Sequence, residues 1–342
     1  MAGAIRVAVI GLVHEHIWTA VKQACELPYV ELVAAADPNP ESLARFLAET
    51  GCGADALYAD PKDLREAETF HAVISGLLPV EHVALTELCA ERGVALLVEK
   101  PMATTLDDMD KIVTAVQRTE IPFMVDFPLL WSAAIREAVR RAHAGEIGDV
   151  YEARYRVSRP RNGTPNGSAE YAKWLYSPAH NATGVYMDLC GYGAQIASWL
   201  LGTPTSVMGT GGILANDKLD VFDNAILIAK YPGAFAISEA TWSSFGAQTP
   251  ATLELHGSDG ILTVTGRMLV RHTSQHAVGV PLELDDLPEG SRNGVEHFCH
   301  ALLRDEAFDD PFTLGITRRA HEIVEAGRRS IETGLECPLP VR

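Results

Sequence analysis

Gly11-Leu-Val-His14-Glu-His16 follows directly on the β-rich run Ile5–Ile10. A glycine at such a point lets a strand turn tightly into a helix around a phosphate. In the dinucleotide fingerprint G-x-G-x-x-G, the second glycine lets the backbone approach a pyrophosphate. Here Val13 stands at the second glycine position and His16 at the third, so only the tight-turn glycine, Gly11, remains. Asp37 closes the next apolar run, Val30–Ala36, 26 residues after Gly11. A carboxylate there accepts hydrogen bonds from adenosine ribose hydroxyls and repels a 2′-phosphate, which points to NAD rather than NADP. Before Pro38 the same residue also suits a turn. His14 and His16 raise the question of a metal. They lack H-E-x-x-H spacing, and residues i and i+2 diverge by about 200° on a helix, so both reach one ion only from a loop or strand. No metal is expected, and the imidazoles are read as neighbours of a phosphate. A third candidate, Glu99-Lys100-Pro101, follows the apolar run Ala95–Val98. A lysine at the carboxyl mouth of a buried strand is a costly place for a charge without a purpose, although a strand-end salt bridge would also account for it.

These residues need a scaffold, and the first third of the chain supplies a recognisable one. Ile5–Ile10, Val30–Ala36, Ala72–Ser75, Ala95–Val98 and Pro122–Val125 read as strands. Helical stretches ending near Leu27, over Glu41–Thr50, Glu81–Arg92 and Thr105–Gln117 separate them. Short continuous apolar runs alternating with amphipathic segments predict an α/β Rossmann domain, a doubly wound parallel sheet, over residues 1–126. Ligands on such sheets bind at the carboxyl ends of the strands, where Gly11, Asp37, Pro79 and Lys100 fall. Beyond Phe127, strand-like runs succeed one another (Tyr151–Ser158, Ser206–Ile213, Phe222–Tyr231, Ala234–Thr241, Thr252–His256, Ile261–Thr265). Helical segments at Ser132–Ala144, Tyr186–Leu201, Val295–Leu303 and Ile316–Thr333 stand apart from them. This predicts an α+β second domain over residues 127–342, with an open-faced, mostly antiparallel sheet. Arg159–Ser168 reads as a mobile loop.

Composition excludes several partners. Lys plus Arg number 28 against 45 Asp plus Glu, a net charge of −17, and no basic run exceeds two residues, which argues against nucleic acid or an anionic membrane. No run of 18 apolar residues suggests a transmembrane helix. Met1 leads into the first strand without a signal-like segment, and the six cysteines form no C-x-x-C pair. The expected setting is the reducing cytoplasm.

Glu99-Lys100-Pro101 at the end of a late strand resembles the GFO/IDH/MocA oxidoreductases, the relatives of glucose–fructose oxidoreductase and inositol dehydrogenase. Ala72-Val-Ile-Ser75-Gly-Leu77-Leu-Pro79-Val-Glu-His82 is similar to that family's nicotinamide-side segment, and Tyr186-Met-Asp188-Leu-Cys-Gly-Tyr192 to its Asp-x-x-x-His/Tyr helix. Asn181-Ala-Thr-Gly184 stands in place of the family's glycine run, and Asp126–Trp131 lacks the arginine many relatives carry there. The resemblance covers nearly the whole chain. It implies cofactor contacts from Gly11, Val13, His14, Asp37, Ser75, Leu77, Pro79, His82, Glu99 and Lys100, and catalytic roles for Lys100, Asp188 and Tyr192. Asp188 and Tyr192 are i and i+4 and so share a helix face. A tyrosine with pKa about 10 needs a shift of roughly 2–3 units to act as a base near neutrality, and one ammonium at about 4 Å supplies about 4 kcal/mol toward it. Arg159, Arg161, Asn162, Lys173, Trp174, His180 and Asn181 would rim the substrate site, with Arg159, Trp174, His180 and Asn181 as the substrate-binding candidates.

The expected activity is NAD(H)-dependent hydride transfer at a secondary hydroxyl of a sugar, inositol or related polyol. Two alternatives stand beside it: a redox-neutral lyase or hydrolase using retained NAD transiently, and a non-catalytic NAD-binding regulator. Apolar residues on both alternating faces of Ala225–Ala229 and Ala234–Ile237 predict a homodimer or homotetramer.

Overall fold

The computed structural model describes residues 3–67, 69–161, 169–181, 183–245 and 252–341. The predicted strands of the first domain form one parallel sheet. β1 (Ile5–Leu12), β2 (Val30–Ala36), β3 (Leu57–Tyr58), β4 (Ala72–Gly76), β5 (Ala95–Glu99) and β6 (Phe123–Asp126) lie in the order β3-β2-β1-β4-β5-β6. The helices α1 (His16–Cys25), α2 (Pro40–Thr50), α3 (Pro61–Ala67), α4 (His82–Arg92) and α5 (Leu106–Thr119) make the crossovers. The central strands β1, β4 and β5 are almost wholly buried because helices cover both faces of such a sheet, while β2 is buried only over Ala34–Ala36. Local chemistry sets the helix limits. Asn39 caps α2 by accepting from the Glu41 amide, with Pro40 at the first position and Gly51 in the left-handed region closing it. Thr105 caps α5 through the Asp108 amide.

Two compact units divide the chain. The first holds Met1–Pro128, Pro165–Trp174 and Pro288–Leu314; the second holds Leu129–Thr164, Leu175–Leu287 and Gly315–Arg342. The expected boundary near Phe127 therefore marks where the first sheet ends, but the chain returns to the first unit twice. One return carries most of α7 (Ala169–Leu175), after α6 (Ala133–His143). The other carries α9 (Gly294–Arg304), which packs on α1.

In the second unit, β7 (Val150–Pro160), β8 (Ser206–Gly212), β9 (Asn224–Lys230), β10 (Phe235–Ser244), β11 (Thr252–Gly257), β12 (Ile261–Thr265), β13 (Met268–Thr273), β14 (His276–Leu282) and β15 (Cys337–Pro338) form a nine-stranded sheet. Its order is β14-β13-β12-β11-β7-β10-β9-β8-β15. All pairs are antiparallel except β7 with β10. α6 packs on β11–β13 and α8 (Gly191–Leu201) on β7 and β10. α10 (Leu314–Thr333) is tied to α8, where the Ser198 hydroxyl donates to the Ile316 carbonyl at 2.9 Å. Alternation along β9 is regular: Ala225, Leu227 and Ala229 are buried while Ile226 and Ile228 stay exposed. The apolar exposure predicted from this run is present, and Met208, Phe235 and Tyr151 extend it across neighbouring strands.

Candidate active site

The first unit places the predicted cofactor residues at the carboxyl edge of its sheet, around the point between β1 and β4 where the strand order reverses. Gly11 sits at φ 79°, and a Cβ there would lie 2.6 Å from the Leu77 side chain. A glycine is required because β1 must turn while backed against the segment leaving β4. The His14 amide donates to the Gly76 carbonyl at 3.0 Å, which holds the two strand ends together, and the Leu77 amide donates to the Ser75 hydroxyl at 3.2 Å, which shapes the exit from β4. Asp37 is buried at the end of β2. One carboxylate oxygen accepts from the Leu12 amide at 2.5 Å and the other from Asn39 at 2.8 Å. The same group thus fixes the β1 turn.

His16, at the start of α1, carries the charge chemistry of this turn. Its Nδ1 lies 3.2 Å from Oε2 of Glu99, with 29% of the His16 side chain exposed and 6% of that of Glu99. Burial pushes the Glu99 carboxyl up, but His16, His14 and Lys100 outweigh it and hold the group at about 2. Burial lowers His16, Glu99 more than restores it, and Lys100 opposes; the net direction is upward. His14, His16 and Glu99 offer ligand atoms within 4.8 Å of one another, a spacing a divalent cation could use. The hydrogen bonding points elsewhere. His14 Nδ1 accepts from the His16 amide at 3.2 Å, which already engages one of the ligand atoms the ion would need. A ligating histidine instead donates from its second nitrogen. The cluster is an ion pair beside an N–H donor, chemistry suited to a phosphate.

Lys100 is 3% exposed at the end of β5. Pro79 is buried and begins the short turn into α4. His82 is wholly buried, and its ring faces backbone carbonyls of Met102 and Leu77, so it stands behind the nicotinamide-side segment rather than on its surface. Trp174, expected at a substrate rim, is buried in the first unit. It stacks on Tyr171 at 5.7 Å, and Tyr171 lies edge-on to His14 at 4.6 Å. Tyr171 carried no signal of its own, because its helix has only seven residues and follows a polar loop.

The second unit holds the other candidates. Asp188 and Tyr192 are both buried. Residues 186–190 form a π-helical turn that runs into α8, a wider coil than the uniform helix expected and one found often at functional sites. Gly193 lies against Ser238 of β10 with no room for a Cβ, and Ser238 donates to the Cys190 carbonyl at 3.2 Å. These contacts fix the turn that carries Asp188. Tyr176, which the sequence did not single out, is its neighbour. Burial raises the Tyr176 phenol, the charge of Asp188 adds to the shift, and Arg159 opposes it. Trp242 packs edge-on against Tyr176 at 5.4 Å. Arg159 is half-buried, its carbonyl accepting from the Ser244 hydroxyl at 2.7 Å. Asn181 is buried and spends its amide on the Leu175 carbonyl at 2.8 Å, a turn-forming role in place of the expected rim position. His180 is exposed, with Nδ1 3.0 Å from the Ser177 hydroxyl. Lys173 is exposed on α7, and the Arg161 guanidinium lies 5.7 Å from the Phe245 ring centre. Asn162, the rest of the loop 162–168 and Ala182 lie outside the described residues.

A dinucleotide fits the first unit. The β1–α1 turn at the reversal of strand order, the ribose-facing carboxylate and the imidazole donors at a helix start meet its needs. His16 supplies a donor where the fingerprint has its third glycine.

A doubly wound sheet with such a turn, joined in one chain to a large antiparallel sheet, defines a dinucleotide-dependent oxidoreductase. The chain belongs to the GFO/IDH/MocA family. Residues 5–127 match the model of the oxidoreductase family's NAD-binding Rossmann fold, and residues 135–263 match the GFO/IDH/MocA C-terminal domain. The cofactor is NAD. Among relatives, scyllo-inositol 2-dehydrogenase (NAD(+)) of Bacillus subtilis (strain 168) is 28% identical over 306 residues, which is 86% of this chain and 83% of that one. Two solved structures share the fold. Levoglucosan dehydrogenase in complex with NADH and levoglucosan superposes with a TM-score of 0.82 at 19% identity, covering 98% of this chain and 100% of that one. Aldose-aldose oxidoreductase from Caulobacter crescentus complexed with glycerol gives 0.82 at 18% identity, with 98% and 100% covered. Among the described residues, no helix is long and apolar enough to cross a membrane.

Proposed function

We propose that this oxidoreductase transfers hydride between NAD and a secondary hydroxyl of a neutral cyclic sugar or polyol, with Lys100, Asp188 and Tyr192 as its proton-handling groups. The observation that carries the reading is Lys100, an ammonium 3% exposed at the carboxyl end of β5. That places a cationic side chain at the carboxyl edge of the sheet, where such folds bind their ligands, and this family uses the position next to the nicotinamide. NAD, when bound, supplies the hydride acceptor. Asp37 and the β1–α1 turn hold the ribose and pyrophosphate, while Leu77 and Pro79 back the nicotinamide. Asp188, a buried carboxylate on its π turn, accepts a hydrogen bond from a substrate hydroxyl. Tyr192 takes the proton that leaves as the carbonyl forms. Tyr176, backed edge-on by the buried Trp242, offers an aromatic face for the apolar side of a sugar ring, and Arg159 a donor beside it. The relatives' substrates, an inositol and an anhydrosugar, are polyhydroxylated rings of this kind.

The active protein is a homodimer or homotetramer through the open face of the second sheet, where Tyr151, Met208, Ile228, Tyr231 and Phe235 line a shallow groove. It resides in the cytoplasm, a setting consistent with six cysteines among which no disulfide forms. The test is absorbance at 340 nm with NAD against a panel of inositols, aldoses and anhydrosugars. Steady NADH production with at least one of them supports the dehydrogenase. Product formation without net NADH would move the assignment to the redox-neutral alternative, and NAD binding without turnover to the regulator.

A further inference from the structure

We infer that His82, which opens α4 directly after the Leu77–Pro79 segment, is a positioning residue that holds Lys100 in register with that segment by donating one hydrogen bond across the gap between β4 and β5 to the Met102 carbonyl. The ladder between these strands ends at the pair Ser75 and Val98. Residues 76–79 and 99–102, the stretches expected to face the nicotinamide and substrate, therefore lie beyond it. The His82 ring bridges that gap. Its Nδ1 lies 3.0 Å from the Met102 carbonyl, two residues after Lys100, and its Nε2 lies 3.3 Å from the Leu77 carbonyl. Leu77 in turn backs Gly11, so one ring links the cofactor turn, the nicotinamide-side segment and the lysine.

The ring is 0% exposed at the first residue of α4, where the Thr86 hydroxyl donates to the His82 carbonyl at 2.7 Å and fixes the helix start. Imidazole is suited to this place because it places one N–H on a rigid ring that spans from α4 to the Met102 carbonyl, while its other edge packs beside the Leu77 carbonyl at 3.3 Å. Burial pushes the ring toward its neutral form, in which one nitrogen donates and the other carries a lone pair. The shorter contact identifies Met102, on the lysine side, as the acceptor of the donated proton. A tie of this kind acts through Lys100 and not on the substrate. A displacement of about 1 Å at a reacting group can cost about 10²-fold in rate.

The inference rests on the reading of Lys100 as a working group, and a double-mutant cycle separates the two. The variants are His82→Phe, His82→Asn and Lys100→Met, singly and combined, with kcat, the KM for NAD and the melting temperature measured for each. His82→Phe is expected to lower kcat by about 10²-fold while the KM for NAD moves less than about threefold. In the Lys100→Met background the same change should cost less than about threefold, because no ammonium remains to be placed. His82→Asn keeps one N–H for a carbonyl and is expected to recover to within about tenfold of the parent, so it carries the cycle if the Phe variant does not fold. Equal losses with and without Lys100, or near-parental kcat in a folded His82 variant, overturn the inference alone. Full turnover in Lys100→Met by itself overturns the reading of Lys100, and this inference with it.

Discussion

Nδ1 of His16 and Oε2 of Glu99 stand 3.2 Å apart at the position where a dinucleotide turn ordinarily ends in glycine. The pair links the start of α1 to the end of β5, across β4. Its contribution to stability depends on pH in a definite way. Glu99 is depressed from its ordinary 4.5 to about 2, so its contribution is present above about pH 4.5 and lost as pH falls through about 2. His16 is raised from 6.5, so its contribution is present below that value and lost as pH rises through the raised one. Both apply in full between about pH 4.5 and 6.5. His16→Gln is therefore expected to destabilise the protein by about 1–3 kcal/mol at pH 6, and by less at pH 8.5. Urea unfolding of parent and variant at the two pH values checks this, and a difference that does not shrink at pH 8.5 counts against the pair.

Asp37 serves two masters, and its substitution should show both. Asp37→Asn leaves one of the Leu12 and Asn39 amides facing a donor, an expected loss of about 1–3 kcal/mol in stability. It also removes the charge that opposes a 2′-phosphate. Arg45, the first cation to follow, is already engaged, paired with Glu49 at 2.6 Å and lying 3.7 Å over the Trp18 ring. The parent is expected to bind NAD more tightly than NADP, and the variant to narrow that ratio by about tenfold, an electrostatic effect of about 1.4 kcal/mol. Fluorescence titration with both reduced cofactors measures it. A parent that binds NADPH more tightly refutes the role given to Asp37.

Much of this was legible because the first sheet is buried on both faces. Leu32–Ala36, Ala72–Ile74 and Ala95–Val98 are continuous apolar runs, and the strand ends read from the sequence fall within a residue or two of where the structure puts them. β13 and β14 escaped because their exposed, mixed-polarity sequences carry no clear alternation, and β3 because two residues form no pattern. The π turn at Asp188 is a change in local helical winding that residue type does not announce. That Trp174 belongs to the first unit, against Tyr171 and His14, is a tertiary fact without a local signal. The His82 tie is equally silent, since a buried histidine reads the same whether it meets a ligand or a carbonyl.

Ile228 and Phe235 test the open sheet face. Both are about 40% exposed in the single chain, on a face whose apolar extent is unusual for a surface left in water. Ile228→Glu alters an outward position, with Met208 and Ile237 as its cross-strand neighbours, so the fold should survive. Light scattering is expected to give a dimer or tetramer for the parent at micromolar concentration and a smaller species for Ile228→Glu. A parent with the mass of one chain rules the assembly out.

The proton chemistry assigned to Lys100 and Tyr192 makes the sharpest demand. Lys100→Met keeps the length of the stem and removes the charge; Tyr192→Phe removes one hydroxyl from a residue that is 1% exposed. If the two act as one acid–base unit, each change lowers kcat by about 10²–10⁴, the usual worth of positioned acid–base catalysis. The double variant should then lose little more than either single one, because groups acting together are not additive. Affinity for NAD should fall modestly at most for Lys100→Met and hardly at all for Tyr192→Phe. The parent's pH–rate profile should show a basic group titrating well below 10, the ordinary phenol value, and Tyr192→Phe should abolish that limb. Near-full turnover in Tyr192→Phe alongside an inactive Lys100→Met would transfer the base to Lys100, Asp188 or a histidine such as His180. Losses that multiply in the double variant would show two separate contributions where one relay is proposed.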